Sequence, residues 1–307
     1  MDTFVYILIE ILLPIFLLVT IGFVLQKKLK MDVRTFTKIN MFIFIPAVLF
    51  TKVYNTEVTL QFFGTVFAYI LGIEAAMFLL GEFIARVFKY PRSIKKAFSN
   101  SLLFFNSGNY GLPLVELVFK GNPLATTVQI FIMLIQNITG NTFGVFQAST
   151  GNSGYKKALK SILLMPSPYV LAVVLVIKLL HVKVPDFIMV PLNYISGGFI
   201  AIALITLGVQ LAGIKFDFRF RDILLSCFIR LMLSPALGFL LVLLLGVKGV
   251  MAQSLILGAA TPTAVNTAII AKEFDNEPEY SSQIVFVSTI FSTFTISAII
   301  FIIGRFV

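Results

Sequence analysis

From Phe187 to Ile214 the chain carries no Asp, Glu, Lys or Arg, and comparable apolar runs recur along most of its length. Wound as an α-helix, about 20 predominantly apolar residues span the hydrocarbon core of a bilayer. Cutting the chain where charges and turn residues cluster predicts ten such segments: 4–25, 36–54, 60–86, 97–119, 124–146, 159–181, 187–213, 223–246, 250–271 and 281–304. Charged residues make up only 12% of the chain, against about 25% in an average soluble domain, so lipid is the partner of this surface. With 33 Phe and no Trp, the interfacial aromatic belt falls to Tyr and Phe. Asp2 stands where a cleavable leader would be basic, and the first apolar run leads straight into a basic loop, so the first segment reads as a span.

The loops between segments alternate in charge. Lys27, Lys28, Lys30 and Arg34 follow the first; Arg86, Lys89, Arg92, Lys95 and Lys96 the third; Lys156, Lys157 and Lys160 the fifth; Lys215, Arg219 and Arg221 the seventh. The intervening loops hold few cations, chiefly Lys52, Lys120, Lys183 and Lys248, while Lys272 follows the ninth segment beside four acids. Basic loops stay cytoplasmic, so ten spans place both termini outside the plasma membrane. That pattern also explains the net charge of +10, 24 Lys plus Arg against 14 Asp plus Glu, without a nucleic acid as partner. A lone Cys227 and a lone His181 leave no disulfide framework and no ordinary zinc site, so no metal or cofactor is expected. No HExxH motif, nucleophile triad or phosphate-binding loop stands in the sequence, and no enzymatic activity is expected.

Five segments precede a polar connector, QASTGNSGY at 147–155, and five follow it. This divides the chain into a first repeat (1–146), a connector (147–158) and a second repeat (159–307). An odd number of spans per half inverts the halves relative to each other. The fourth segment contains FNSGNYGLPL (Phe105 to Leu114) and the ninth GAATPTAVNT (Gly258 to Thr267). Proline removes a backbone donor and clashes with the carbonyl one turn back, and glycine eases departure from helical geometry. Pro113 and Pro262 are therefore expected to break both helices near their middles. Such paired breaks in inverted halves point to a transporter site at the membrane midplane, the alternative being two plain proline kinks.

The stretches SGNYGLPL (Ser107 to Leu114), INMFIFIPAVLF (Ile39 to Phe50) and TPTAVNTAIIAKEF (Thr261 to Phe274) resemble the auxin efflux carrier family, which includes plant auxin carriers and bacterial permeases for malate or malonate. The resemblance covers essentially the whole chain. It implies an all-α polytopic fold of ten helices in two inverted five-helix repeats, with broken helices 4 and 9 crossing beside the substrate and one helix bundle moving against another.

A broken helix offers an anion its unpaired N–H groups. Around the breaks, Asn106, Asn109, Thr261, Thr263 and Asn266 are candidate donors, with Tyr110 as a wall or hydroxyl. Gln136, Asn137 and Asn141 on the fifth segment are further candidates, Asn137 and Asn141 on one helix face. These polar groups, with Asn40 and Gln210, could equally be interhelical glue. Ionisable groups inside spans are costly and default to function. Glu74 and Arg230 lie at similar inferred depths in related helices, open to an ion pair, to structural pairing, or to Arg230 reaching the interface along its stem. Glu116, one turn after Pro113, is a candidate proton carrier or an outer-interface carboxylate; Glu10 and Glu82 read as solvated. The paired breaks point to a secondary carrier for a small organic anion, and the resemblance implies a carboxylate such as malate, malonate or an auxin-like acid, with a homodimer admitted. The alternatives are a sodium- or proton-coupled carrier of bile-acid-symporter-like architecture, and a gated channel or membrane receptor.

Overall fold

The computed structural model describes residues 3–149, 160, 163–214 and 220–306, and every regular element among them is helical. In chain order the helices are α1 (Ile7–Leu29), α2 (Val33–Tyr54), α3 (Leu60–Val87), α4 (Arg92–Leu103), α5 (Leu112–Val118), α6 (Pro123–Ala148), α7 (Pro166–Leu179), α8 (Asp186–Ala212), α9 (Arg221–Leu244), α10 (Gly249–Ala259), α11 (Val265–Glu273) and α12 (Pro278–Arg305). Seven of them, α1, α2, α3, α6, α8, α9 and α12, are long and apolar enough to cross a membrane. The predicted fourth and ninth segments each appear as two shorter helices, α4 with α5 and α10 with α11. The predicted sixth is represented by α7; most of the connector and the start of that segment lie outside the described residues.

Four prolines leave a common mark. Pro14, Pro46, Pro113 and Pro235 each stand two residues past the end of a widened π-helical turn, at Ile7–Leu12, Asn40–Phe44, Ser107–Gly111 and Ile229–Leu233. The carbonyl that each proline ring would strike lies four residues back, inside that turn, so the added residue relieves the clash.

The helices form two sets. In the first, α8 packs along α1 and α2, and α7 packs on α2. The α1–α8 contact is as close as backbones allow: a Cβ on Gly208 would overlap the Val19 carbonyl, and one on Gly22 the Ile205 carbonyl. Where lipid supplies no hydrophobic drive, such small-residue seams let helices gain van der Waals contact. In the second set α3 packs on α4, α6 and α9, α10 on α6 and α9, and α12 on α9 and α11. The sets meet where α8 touches the Ser107–Gly111 turn and α5, and where α2 touches α6. Glu82, expected to be solvated, instead pairs with Lys95 at 2.6 Å and Arg86 at 3.5 Å, tying α3 to α4 at the end that carries the basic loops.

Candidate functional site

Where α4 and α10 stop, their chains pass each other antiparallel, with Phe105 opposite Thr263. The Asn106 N–H donates to the Pro262 carbonyl at 2.7 Å and the Ala264 N–H to the Phe104 carbonyl at 2.9 Å. Thr263 adds two anchors: its hydroxyl donates to the Ser101 carbonyl at 3.0 Å, and its N–H to the Ser288 hydroxyl at 3.2 Å. Backbone groups released from the helices thus find partners inside the protein, which non-helical chain at this depth requires.

The break in the fourth segment is not at Pro113. It falls at Phe104 to Asn106, and Pro113 sits at the second position of α5, beyond the π-helical turn. The widened turn before it relieves the clash of its ring with the Asn109 carbonyl, so the helix runs on through Pro113. Pro262, by contrast, lies within the crossing itself.

A cavity of about 470 Å³ opens between the two sets, beside the crossing. Asn106, Asn109, Asn137 and Asn266 line it, together with Asn141. The other six predicted site residues build the walls behind it. Tyr110 is buried and its hydroxyl accepts from Ser292 at 3.0 Å, while the Thr261 hydroxyl donates to the Gly258 carbonyl at 2.7 Å. Pro113, Pro262 and Thr263 shape the backbone. Gln136 links the crossing to α3: its Oε1 accepts from the Phe105 N–H at 3.1 Å and its Nε2 donates to Glu74 at 2.6 Å.

A chain of amides spans the gap between the sets. Asn40 Nδ2 donates to Asn109 Oδ1 at 2.8 Å, Asn109 Nδ2 to Gln210 Oε1 at 3.3 Å, and Gln210 Nε2 to the Thr37 hydroxyl at 3.2 Å. Two atoms in this region have no protein partner, the buried Asn106 Nδ2 and Asn40 Oδ1. The cavity also meets the exposed Lys38, a cation that reasoning from the sequence missed. A lysine near a span end reads as a solvated charge, and only the packing of α2 against the crossing turns it toward a site.

The ionisable candidates part company. Glu74 and Arg230 form no ion pair: Glu74 accepts from Gln136 and from the Thr139 hydroxyl at 2.7 Å. Arg230 does not reach an interface either; it is fully buried and donates to the Leu102 carbonyl at 2.8 Å and to the Ala259 carbonyl. Glu116 of α5 lies 2.9 Å from Lys52 of α2, so this ion pair joins the second set to the first. Beside it, at the other end of the bundle from the basic loops, is a second cavity of about 320 Å³ lined by Thr51, Asn55, Asn193 and Ser196.

The sequence pattern of a family described as membrane transport protein matches the chain twice, over residues 7–158 and 153–300. An uncharacterized transporter of Methanocaldococcus jannaschii is 29% identical over 116 residues, which is 37% of this chain and 37% of that protein. The chain therefore spans well under half the length of the relative it matches. With the family's pattern covering nearly the whole chain in two stretches, the protein belongs to the membrane transport proteins of the auxin efflux carrier family.

Proposed function

We propose that this transporter is a secondary carrier of a small organic anion, of the size of malonate or malate, bound in the cavity beside the crossing. The observation that carries the reading is the convergence of donors there. The Ser107–Gly111 turn leading into α5, and α11, both begin at the cavity, so their first N–H groups, around Gly108 to Tyr110 and at Val265 and Asn266, lack intrahelical acceptors. Each helix start adds positive potential. The unpartnered Asn106 amide and the Lys38 ammonium complete a site for a carboxylate. A hydrogen bond to a charged partner contributes about 1.5–3 kcal/mol, or about 10- to 150-fold in affinity.

The ten segments then form two inverted repeats of five, a division that the two matched stretches support. The second set moves against the first, closing the large cavity and opening the small one, with basic loops cytoplasmic and both termini outside. Among the ionisable groups, protonation of Glu74 is the event that reaches the crossing, because its partner Gln136 holds the Phe105 N–H. Glu116 instead serves the closed end, where Lys52 engages it.

Reconstituted vesicles loaded with malonate or malate test the reading. Saturable counterflow of the labelled acid is the expected result. Electrical currents far above carrier rates, with no counterflow of any carboxylate tried, would make the protein a channel.

A further inference from the structure

Arg230 has a role that neither ion pairing nor proton coupling describes. Leu102 lies in the last turn of α4 and Ala259 ends α10, so their carbonyls have no intrahelical partner. Each helix C-terminus carries about half a negative charge, and two converging ends sum to about one elementary charge. The guanidinium supplies the matching positive charge. Its two Nη atoms divide between the two carbonyls, and its Cζ lies 4.7 Å from the centre of the Phe105 ring, within the crossing. The Ser234 hydroxyl donates to the same Ala259 carbonyl at 2.9 Å. No carboxylate pairs with Arg230 among the described residues, and its Nε has no partner. The charge that balances it is therefore that of the two helix ends. A planar fork suits two divergent acceptors, which a single ammonium does not.

We propose that Arg230 is a tethered counter-cation for the crossing: it stands where two converging helix C-termini would otherwise call for a mobile cation, so the crossing assembles without sodium or potassium. Arg230 is thus a positioning residue, acting on the site through the ends of α4 and α10. The inference concerns assembly of the crossing and does not depend on which anion is carried.

Thermal unfolding of the full chain in detergent tests it, with choline, sodium or dilute guanidinium chloride at equal ionic strength. The parent is expected to melt at the same temperature in sodium as in choline. Arg230→Ala should melt lower, and relative to the parent it should regain stability saturably with guanidinium but not with choline. Arg230→Met fills the space without charge and should also melt lower; Arg230→Lys keeps the charge and should lose less than Arg230→Met. The proposal is overturned if the parent gains stability saturably with sodium, if Arg230→Met melts with the parent, or if folded Arg230→Ala ignores guanidinium. Should Arg230→Ala yield no folded protein, the order of the Lys and Met variants decides, and Met at or above Lys overturns it.

Discussion

Breaking the Lys52–Glu116 pair should unlatch the end of the bundle away from the basic loops. Lys52 Nζ lies 2.9 and 3.1 Å from the two Glu116 oxygens and 3.3 Å from the Gly121 carbonyl, while the Thr126 hydroxyl donates to the same carboxylate at 2.8 Å. The side chains are 20% and 11% exposed. That is too buried for a surface pair worth about 0–1 kcal/mol, and too wet for the full 3–5 kcal/mol loss of a buried one. A charge-assisted hydrogen bond of about 1.5–3 kcal/mol is the fitting scale. If the pair exists only when this end is closed, its loss shifts the open population about 10- to 150-fold. The assay is labelling of Ser196→Cys, which lines the small cavity, by a membrane-impermeant maleimide with the buried native thiol removed as Cys227→Ser. Lys52→Ala and Glu116→Ala should each speed labelling on that scale, and the exchanged pair Lys52→Glu with Glu116→Lys should slow it again. Single variants that label at the parent rate, or an exchanged pair no slower than the singles, would refute the latch.

The crossing makes a second prediction: Pro262→Ala should depress carboxylate exchange much more than Pro113→Ala, since only Pro262 lies in the break; equal effects, read in vesicles of matched protein content, would argue against this. For topology, cysteines placed in the Lys27 to Arg34 or Lys89 to Arg92 loops should label only from the cytoplasm, and labelling of whole cells from outside would reverse the orientation. At the start of α2, Asp32 caps the helix: the Thr35 hydroxyl donates to it at 2.6 Å and the Arg34 N–H at 3.1 Å. These bonds hold its carboxyl below the usual range. A lowered folded value means a contribution present at neutral pH and lost as pH falls through that value. The protection of the Arg34 amide, its exchange rate corrected for the intrinsic pH dependence, should therefore fall in acid, and Asp32→Asn should flatten that fall.

Much of the architecture can be read from the chain because lipid imposes it. Apolar length and charge spacing locate the seven long apolar helices, whose ends fall within a few residues of the expected cuts. The paired interruptions are legible too, yet their position in the fourth segment is not. Pro113 is the conspicuous breaker, but the chain departs at Phe104 to Asn106 because pairing with Pro262 and Ala264 satisfies backbone there, a partnership between residues far apart in sequence. The same limit explains the ionisable groups. Glu74 and Arg230 sit at matching depths, but depth says nothing of azimuth, and helix rotation gives one to Gln136 and the other to two helix ends. Four asparagines expected at the site do line the cavity. Asn40 and Gln210, ambiguous as glue, join Asn109 across the gap between the helix sets. Lys38 was hidden by its ordinary address near a helix end.

The central claim is that an organic anion binds between the starts of α11 and the turn leading into α5. Substrate protection tests it most directly. In the Cys227→Ser background, Asn106→Cys and Asn266→Cys place thiols at the two starts, and Asn193→Cys places one in the small cavity as a control. With a carboxylate that the vesicles exchange, maleimide labelling of Asn106→Cys and Asn266→Cys should slow in proportion to site occupancy, while Asn193→Cys should not be protected. Active exchange with both crossing thiols labelling at their substrate-free rates would contradict the account and place the anion elsewhere.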